Sequence, residues 1–253
     1  RTPILTRDLH WVQAGNLING DRIIGFDDEP TGKGPGKGTC RRLSEAIITS
    51  SSMSVVNGYE LMLKNGEKLR CTGEHQFLVK INHRGIAWRR ADWLYKRFAR
   101  NIYEMPRYFD VWKQSYTREA GFLAGMFDAD GCLVMSPDGA PANLALVQQD
   151  NAALTEAKRC LEIFGFKWSQ IEHKGHRYKG GPVYIIGIYG GLREVARFLG
   201  VIRPPRLLAK WLSSKIEFRQ LISTEQVQIV EIKRCKVRVA NLSSSSRTYI
   251  SAG

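Results

Sequence analysis

Two acids close a helix-like run in "GFLAGMFDADG", Gly121 to Gly131. Gly121, Ala124 and Gly125 are small, and Asp128, Asp130 and Gly131 end the run. A helix C-terminus carries negative partial charge, so acids placed there attract cations. Small residues on a helix let a second helix backbone approach closely. If two such helices pair, two Asp130 carboxylates meet at one end of the seam, which is tolerated only with a divalent metal or a proton between them. Mg²⁺ is the expected ion, with Asp130 and Ala129 as its candidate ligands. Such an ion can activate a bound water and stabilise a leaving oxygen. Leu123, Met126 and Phe127 are expected in the helix's own core, and Gly131 in the left-handed conformation that closes a helix. A calcium loop is disfavoured, because its spacing of acids fails at Cys132.

The elements around this run follow from periodicity. From Tyr116 onward the order reads α-β-β-α-β-β-α-α. "NAALTEAKRCLEIFG" has helix spacing that ends on Gly165, and "PPRLLAKWLSSKIEF" begins with proline, as helices do. "NLALVQQ", "FKWSQIEH" and "PVYIIGIYG" read as strands. In the first of these Leu144, Leu146 and Gln148 share one face and Asn143, Ala145 and Val147 the other. Lys167, Ser169, Ile171 and His173 alternate similarly. The first hundred residues and those from about Glu225 read instead as short strands and turns, with a hairpin at Asn65-Gly66. The predicted organisation is an α+β unit, 107–222, inserted into an all-β unit made of 1–106 and 223–253. The glycine-rich loop Thr31 to Thr39 lacks the Ser or Thr that a phosphate-cradling GK motif needs, and reads as a solvated loop.

Composition narrows the partners. The formal net charge of +14 and 43% hydrophobic content describe a folded, basic chain suited to a polyanion, nucleic acid before membrane. Five scattered cysteines without a CxxC pair argue against a zinc site or disulfide framework, and for a reducing, cytoplasmic setting. No run approaches a membrane span. Arg89, Arg90, Lys96, Arg97 and Arg100, interleaved with Trp88, Trp93 and Phe98, form either an additional DNA contact or a solvated amphipathic segment.

Leu123-Ala124-Gly125-Met126-Phe127-Asp128-Ala129-Asp130-Gly131 resembles the signature of the LAGLIDADG homing endonucleases, matching seven of its nine letters. The resemblance implies a fold of αββαββαα order with a four-stranded sheet that reads double-stranded DNA in the major groove. It implies cleavage of both strands across the minor groove, leaving 3′ overhangs. One copy of the motif implies a homodimer and a near-palindromic target. It also implies a catalytic glutamine at the end of the second strand, Gln149 with Gln148 as the alternative. A basic residue after the third helix follows as well: Arg206 first, then Arg203 and Lys210. Asn143, Ala145, Lys167 and Ser169 would face the DNA. Lys174, Arg177 and Lys179, in the loop that also holds His176, would contact phosphates, unless that loop is a solvated hairpin tip.

The outer segments resemble the Hint fold of inteins and Hedgehog autoprocessing domains. "ILTRDLHWVQAGNLINGDRIIGFD" is similar to the first intein block and "VANLSSSSRTYISAG" to a late one. Thr72-Gly73-Glu74-His75 matches a TxxH in which the histidine polarises a peptide bond for an N-to-S acyl shift. His75 is otherwise a core histidine. The chain as written begins at Arg1 rather than Cys or Ser, ends at Gly253 rather than His-Asn, and has Asn241 where an acid is usual, so splicing is not expected of it. The function expected is a Mg²⁺-dependent, dimeric, site-specific DNA endonuclease in an intein-like setting, with an unknown host protein. The alternatives are an autoprocessing domain with a decayed nuclease, or a non-cleaving nucleic-acid binder such as a maturase.

Overall fold

The computed structural model describes residues 2–30, 41–173, 181–221, 223 and 225–251. The strands of the first part are β1 (Pro3–Leu5), β2 (Trp11–Gln13), β3 (Arg22–Phe26), β4 (Arg41–Leu63), β5 (Lys68–Cys71), β6 (Gln76–Ile81), β7 (Ile86–Arg90) and, after helix α1 (Ala91–Arg97), β8 (Tyr103–Arg107). Then come α2 (Arg118–Asp130), β9 (Gly131–Met135), β10 (Pro141–Gln149), α3 (Ala152–Ile163), β11 (Trp168–Glu172), β12 (Val183–Ile188), α4 (Gly191–Ile202) and α5 (Pro205–Leu212). The chain closes with β13 (Gln220–Leu221) and β14 (Glu225–Ser244).

Two compact units result. The first holds residues 1–6, 12–111 and 220–253, and the second holds 7–11 and 112–219. The first is built on a long antiparallel ribbon of β4 and β14, running from Leu63 opposite Ile229 to Ile48 opposite Ser244. β3 and β5 add to β4, and β8, β6 and β7 continue the sheet beyond β14. The β4–β5 hairpin turns at Asn65-Gly66, where Gly66 takes φ 86°. Gly58 is required in mid-ribbon: a Cβ there would come within 2.3 Å of the Cys71 carbonyl oxygen. Leu61, Val79, Leu94, Tyr103 and Ile229 form the main core of this unit. Its two chain-terminal segments meet, with Leu5 N–H donating to the Ile250 carbonyl.

The second unit is a four-stranded antiparallel sheet in the order β11-β12-β10-β9 with helices on one face. The element order matches the periodicity of the sequence from Tyr116 onward. Leu123, Phe127, Leu144, Leu146, Ile186 and Phe198 are buried in its core, where Phe198 packs on Phe127 and Phe166 at 4.5 and 4.9 Å. Helix starts are capped as side-chain chemistry dictates: Thr117 Oγ1 accepts from Ala120 N–H, and Asn151 Oδ1 from Leu154 N–H. The segment 7–11 joins this unit through buried Arg7, which donates to the carbonyls of Trp211 and Ser214 at the end of α5, while Trp211 Nε1 donates back to the Arg7 carbonyl. A lone arginine in strand-like text gives no signal of this in the sequence. No helix among the described residues is long and apolar enough to cross a membrane.

Candidate functional site

Helix α2 buries Ala120, Leu123 and Phe127 and turns Gly121, Gly125 and Ala129 outward at four-residue spacing. A Cβ added at Gly121 or Gly125 meets nothing within 4 Å, so this stripe is open. Ala124 and Met126 are half-buried on its two flanks, so neither the small-residue stripe nor the helix's own core includes them as fully as the letters suggest.

The tip of α2 is held by an arginine. Arg206, at the start of α5, donates through Nε to the Asp128 carbonyl at 2.6 Å, and through Nη2 to the carbonyls of Phe127 at 3.1 Å and Gly131 at 2.6 Å. The Phe127 carbonyl also accepts the Gly131 N–H, the Asp128 and Gly131 carbonyls lie at and just past the helix end, and the guanidinium opposes the helix dipole. Asp128 Oδ1 accepts the backbone N–H of Arg206 at 3.0 Å. That bond caps α5, whose own preceding residue, Pro204, has no side-chain acceptor. Asp128 is therefore a structural acid that joins two helices, and Arg206 is committed to main-chain carbonyls. Lys210 lies exposed one turn further along α5.

Gly131 departs from expectation. It adopts φ −84° and ψ 158°, which is extended backbone and not the left-handed region. The helix passes directly into β9, and the glycine is needed for space: a Cβ would lie 2.4 Å from the Phe127 carbonyl oxygen.

Asp130 is exposed, and its Oδ2 accepts from Gln148 Nε2 at 3.0 Å. Of the two glutamines, it is Gln148 that reaches Asp130. Gln148 shares strand parity with buried Leu144 and Leu146, so it points to the helix side of the sheet where α2 ends. Gln149 points to the opposite face. Gln148 Oε1 accepts from Gln149 N–H at 2.9 Å and from Asn151 Nδ2 at 3.4 Å, which holds the side chain in place. The parity was visible in the sequence.

Arg203 is held inside the second unit. It ends α4 in the left-handed region at φ 56°, donates to the Asp8 carbonyl at 2.9 Å and approaches the Asp8 carboxylate at 3.7 Å. Burial holds its pKa below the ordinary arginine value. It is an internal anchor for the 7–11 segment and not a free cation. Arg197 is spent similarly, bonding buried Glu194 and the carbonyls of Phe164 and Gly165.

The sheet face away from the helices carries Asn143, Ala145 and Ser169. Lys167 precedes β11, is exposed, and its backbone N–H donates to Glu194 of α4 at 3.0 Å. Lys174, His176, Arg177 and Lys179 lie outside the described residues, as does the Thr31 to Thr39 loop.

In the first unit, Thr72 and His75 line a cavity of about 770 Å³ together with Cys71, Tyr249, Thr2 and Ser251. His75 packs edge-on to Phe77 at 4.7 Å. Desolvation keeps its pKa below the ordinary histidine value, and the same cause pushes Cys71 and Tyr249 up to about 12. Nearby, Trp93 lies between the guanidinium groups of Arg89 and Arg97, at 4.9 and 4.6 Å. Arg90 is paired with Asp92, while Lys96, Arg97 and Arg100 are exposed.

Residues 117–203 match the family model described as the LAGLIDADG-like domain. The match runs from the cap of α2 to the end of α4. No curated protein matches the chain.

Proposed function

We propose that the second unit is a site-specific, metal-dependent DNA endonuclease that works as a homodimer, with Asp130 at its chemical centre. The observation that carries this reading is the tip of α2. An exposed carboxylate is fixed there by Gln148 next to an open stripe of Gly121, Gly125 and Ala129, within a segment that matches the LAGLIDADG-like model. Family members of this type are endonucleases or related nucleic-acid binders, and a net charge of +14 suits a DNA partner.

The donor set decides how a metal would fit. Among the described residues no cluster of three or more His, Cys, Asp or Glu side chains could hold one. At this tip a single chain offers one exposed carboxylate, that of Asp130. Two chains paired along the open stripe would offer two Asp130 carboxylates and the Ala129 carbonyls near the helix ends, a hard oxygen set that suits Mg²⁺. Such an ion, when bound, supplies Lewis acidity and lowers the pKa of water. The chain's own groups do the rest. Gln148 orients Asp130. Arg206 and Asp128 fix the turn on which Asp130 rides. Gly131 lets the chain leave the helix without displacing it.

Replacing Asp130 by Asn is expected to abolish Mg²⁺-dependent cleavage while duplex binding persists, because the fold and the sheet face are untouched. Gln148→Ala is expected to lower the cleavage rate by roughly 10²-fold, a loss typical of misplacing a reacting group, with Gln149→Ala nearly silent. Retained cutting by the Asp130 variant removes that residue from the centre. A larger loss at Gln149 than at Gln148 reverses the assignment of the glutamine.

A second reading concerns the first unit, which we propose descends from an autoprocessing Hint-type domain inserted around the nuclease. It is favoured by one observation: Thr72 and a desolvated His75 line the same cavity as residues 2 and 251 from the two ends of the described chain. A neutral histidine in that place suits proton transfer to a peptide bond. Expressing the chain with a Cys before it and His-Asn after it, within a flanking host sequence, is the test. Absence of both splicing and amino-end cleavage in that fusion would count against this ancestry.

A further inference from the structure

The open face of the four-stranded sheet is more apolar than a surface built to grip phosphates. Three residues stand directly opposite one another across neighbouring strands: Val147 on β10 faces Ile185 on β12, which faces Ile171 on β11. Beside them runs a row of small residues, Cys132, Ala145, Gly187 and Ser169, each opposite the next. Beyond that row lie Val134 and Asn143, paired across β9 and β10. Val134 and Val147 are each 41% exposed and Ile171 is 64% exposed. A Cβ at Gly187 would touch only Ser169 Oγ, at 3.6 Å, so the small row is a shallow trough flanked by branched side chains.

Contiguous exposed apolar surface of this kind marks a binding site. The occupant is constrained by position and charge. Cys132, in the small row, lies two residues after Asp130 on the strand that begins at the α2 tip, so this face starts beside the proposed cleavage centre. The chain's net charge of +14 suits a polyanion. On the major-groove edges of DNA the distinctive apolar feature is the 5-methyl group of thymine. We infer that this face selects target positions by thymine methyl groups, with Val147, Ile185 and Ile171 as the reading row and the small-residue trough allowing close approach. The inference rests on the DNA reading of the second unit and names the base chemistry it recognises.

The test uses the full chain and a randomised duplex library at fixed salt. Bound sites are expected to share thymines at fixed positions in each half. Deoxyuridine, placed at one of these, removes only the methyl and should weaken binding about fourfold, the change expected for one buried methyl group. Ile171→Ala or Val147→Ala should erase that penalty at the thymine each contacts, as a double-mutant cycle. Both side chains are exposed, and an unchanged melting temperature shows that the fold is intact. If selected sites lack common thymines, or deoxyuridine binds as well as thymidine, the inference falls while the DNA reading stands. If no duplex is retained at all, both fall.

Discussion

Arg206 is the most exacting test of how the candidate site is built. Its guanidinium bonds three carbonyls at the end of α2, those of Phe127, Asp128 and Gly131, at 2.6 to 3.1 Å. Truncation to Ala strips all three. A hydrogen bond from a charged donor contributes about 1.5–3 kcal/mol when sheltered. This residue is exposed, so water replaces much of each bond and about 0.5 kcal/mol apiece is a fair figure. The opposing charge at a helix C-terminus adds roughly 0.3–1 kcal/mol. The total is about 2 kcal/mol, which in a chain of this length lowers the melting temperature by about 4–8 °C. Arg206→Lys keeps the charge and loses the planar fork, so it should recover only the dipole part, roughly 0.3–1 kcal/mol. Thermal melting followed by circular dichroism measures this, with amide exchange at Ala129 to Gly131 as a local readout. Cleavage should fall with the loss of order at that turn, and Lys should restore melting and cleavage in parallel. An Ala variant that melts within about 1 °C of the parent, or that loses cleavage with the turn still protected, would refute the capping argument and return Arg206 to a direct chemical role.

Other outcomes follow from the same geometry. Gly125→Leu places a side chain on the open stripe where nothing is met in the single chain, and it improves helix propensity by about 0.8–1 kcal/mol. The variant should fold at least as stably as the parent but sediment as a monomer on DNA and fail to cut both strands; an intact active dimer would disprove helix pairing along this stripe. Gly200→Ala should destabilise markedly, because its Cβ would fall 2.0 Å from Trp112 Nε1, which donates to the Leu9 carbonyl; an unchanged melting curve would refute the need for glycine at this contact. For His75 the sign is fixed by burial. Its folded pKa lies below the unfolded value, so the unfolded chain binds more protons as pH falls below about 6.5. Stability contributed by neutral His75 is fully present above that pH and declines on acidification. His75→Gln should flatten the stability profile below about pH 6.5, and an unchanged slope in denaturant titrations would rule out the histidine as its source.

The glutamine and the arginines show where sequence reasoning stops. Strand parity alone separates Gln148 from Gln149, because Leu144 and Leu146 mark the covered face. Position at the end of the strand does not separate them. Arg203 and Arg206 could not be sorted by pattern, since both follow α4 in basic text. Their roles depend on which carbonyls come within reach once distant segments pack. Formal charge overstates the surface available to DNA for the same reason: Arg7, Arg197, Arg203 and Arg206 are all spent on internal acceptors.

By itself the sequence determined the α-β-β-α-β-β-α-α order, the division into strand-rich and mixed text, and Asp130 at the end of a helix bearing small residues. These are local properties, set by periodicity, capping residues and glycine positions, and each is written within a dozen or so neighbouring letters. Tertiary structure alone decided that Asp128 caps α5, that Arg206 closes α2, that residues 7–11 belong with the second unit, and that the open sheet face is apolar across three strands. Those facts depend on atoms tens to hundreds of residues apart meeting at hydrogen-bond distance, and no local pattern records which partner a buried arginine or an unfilled carbonyl will find.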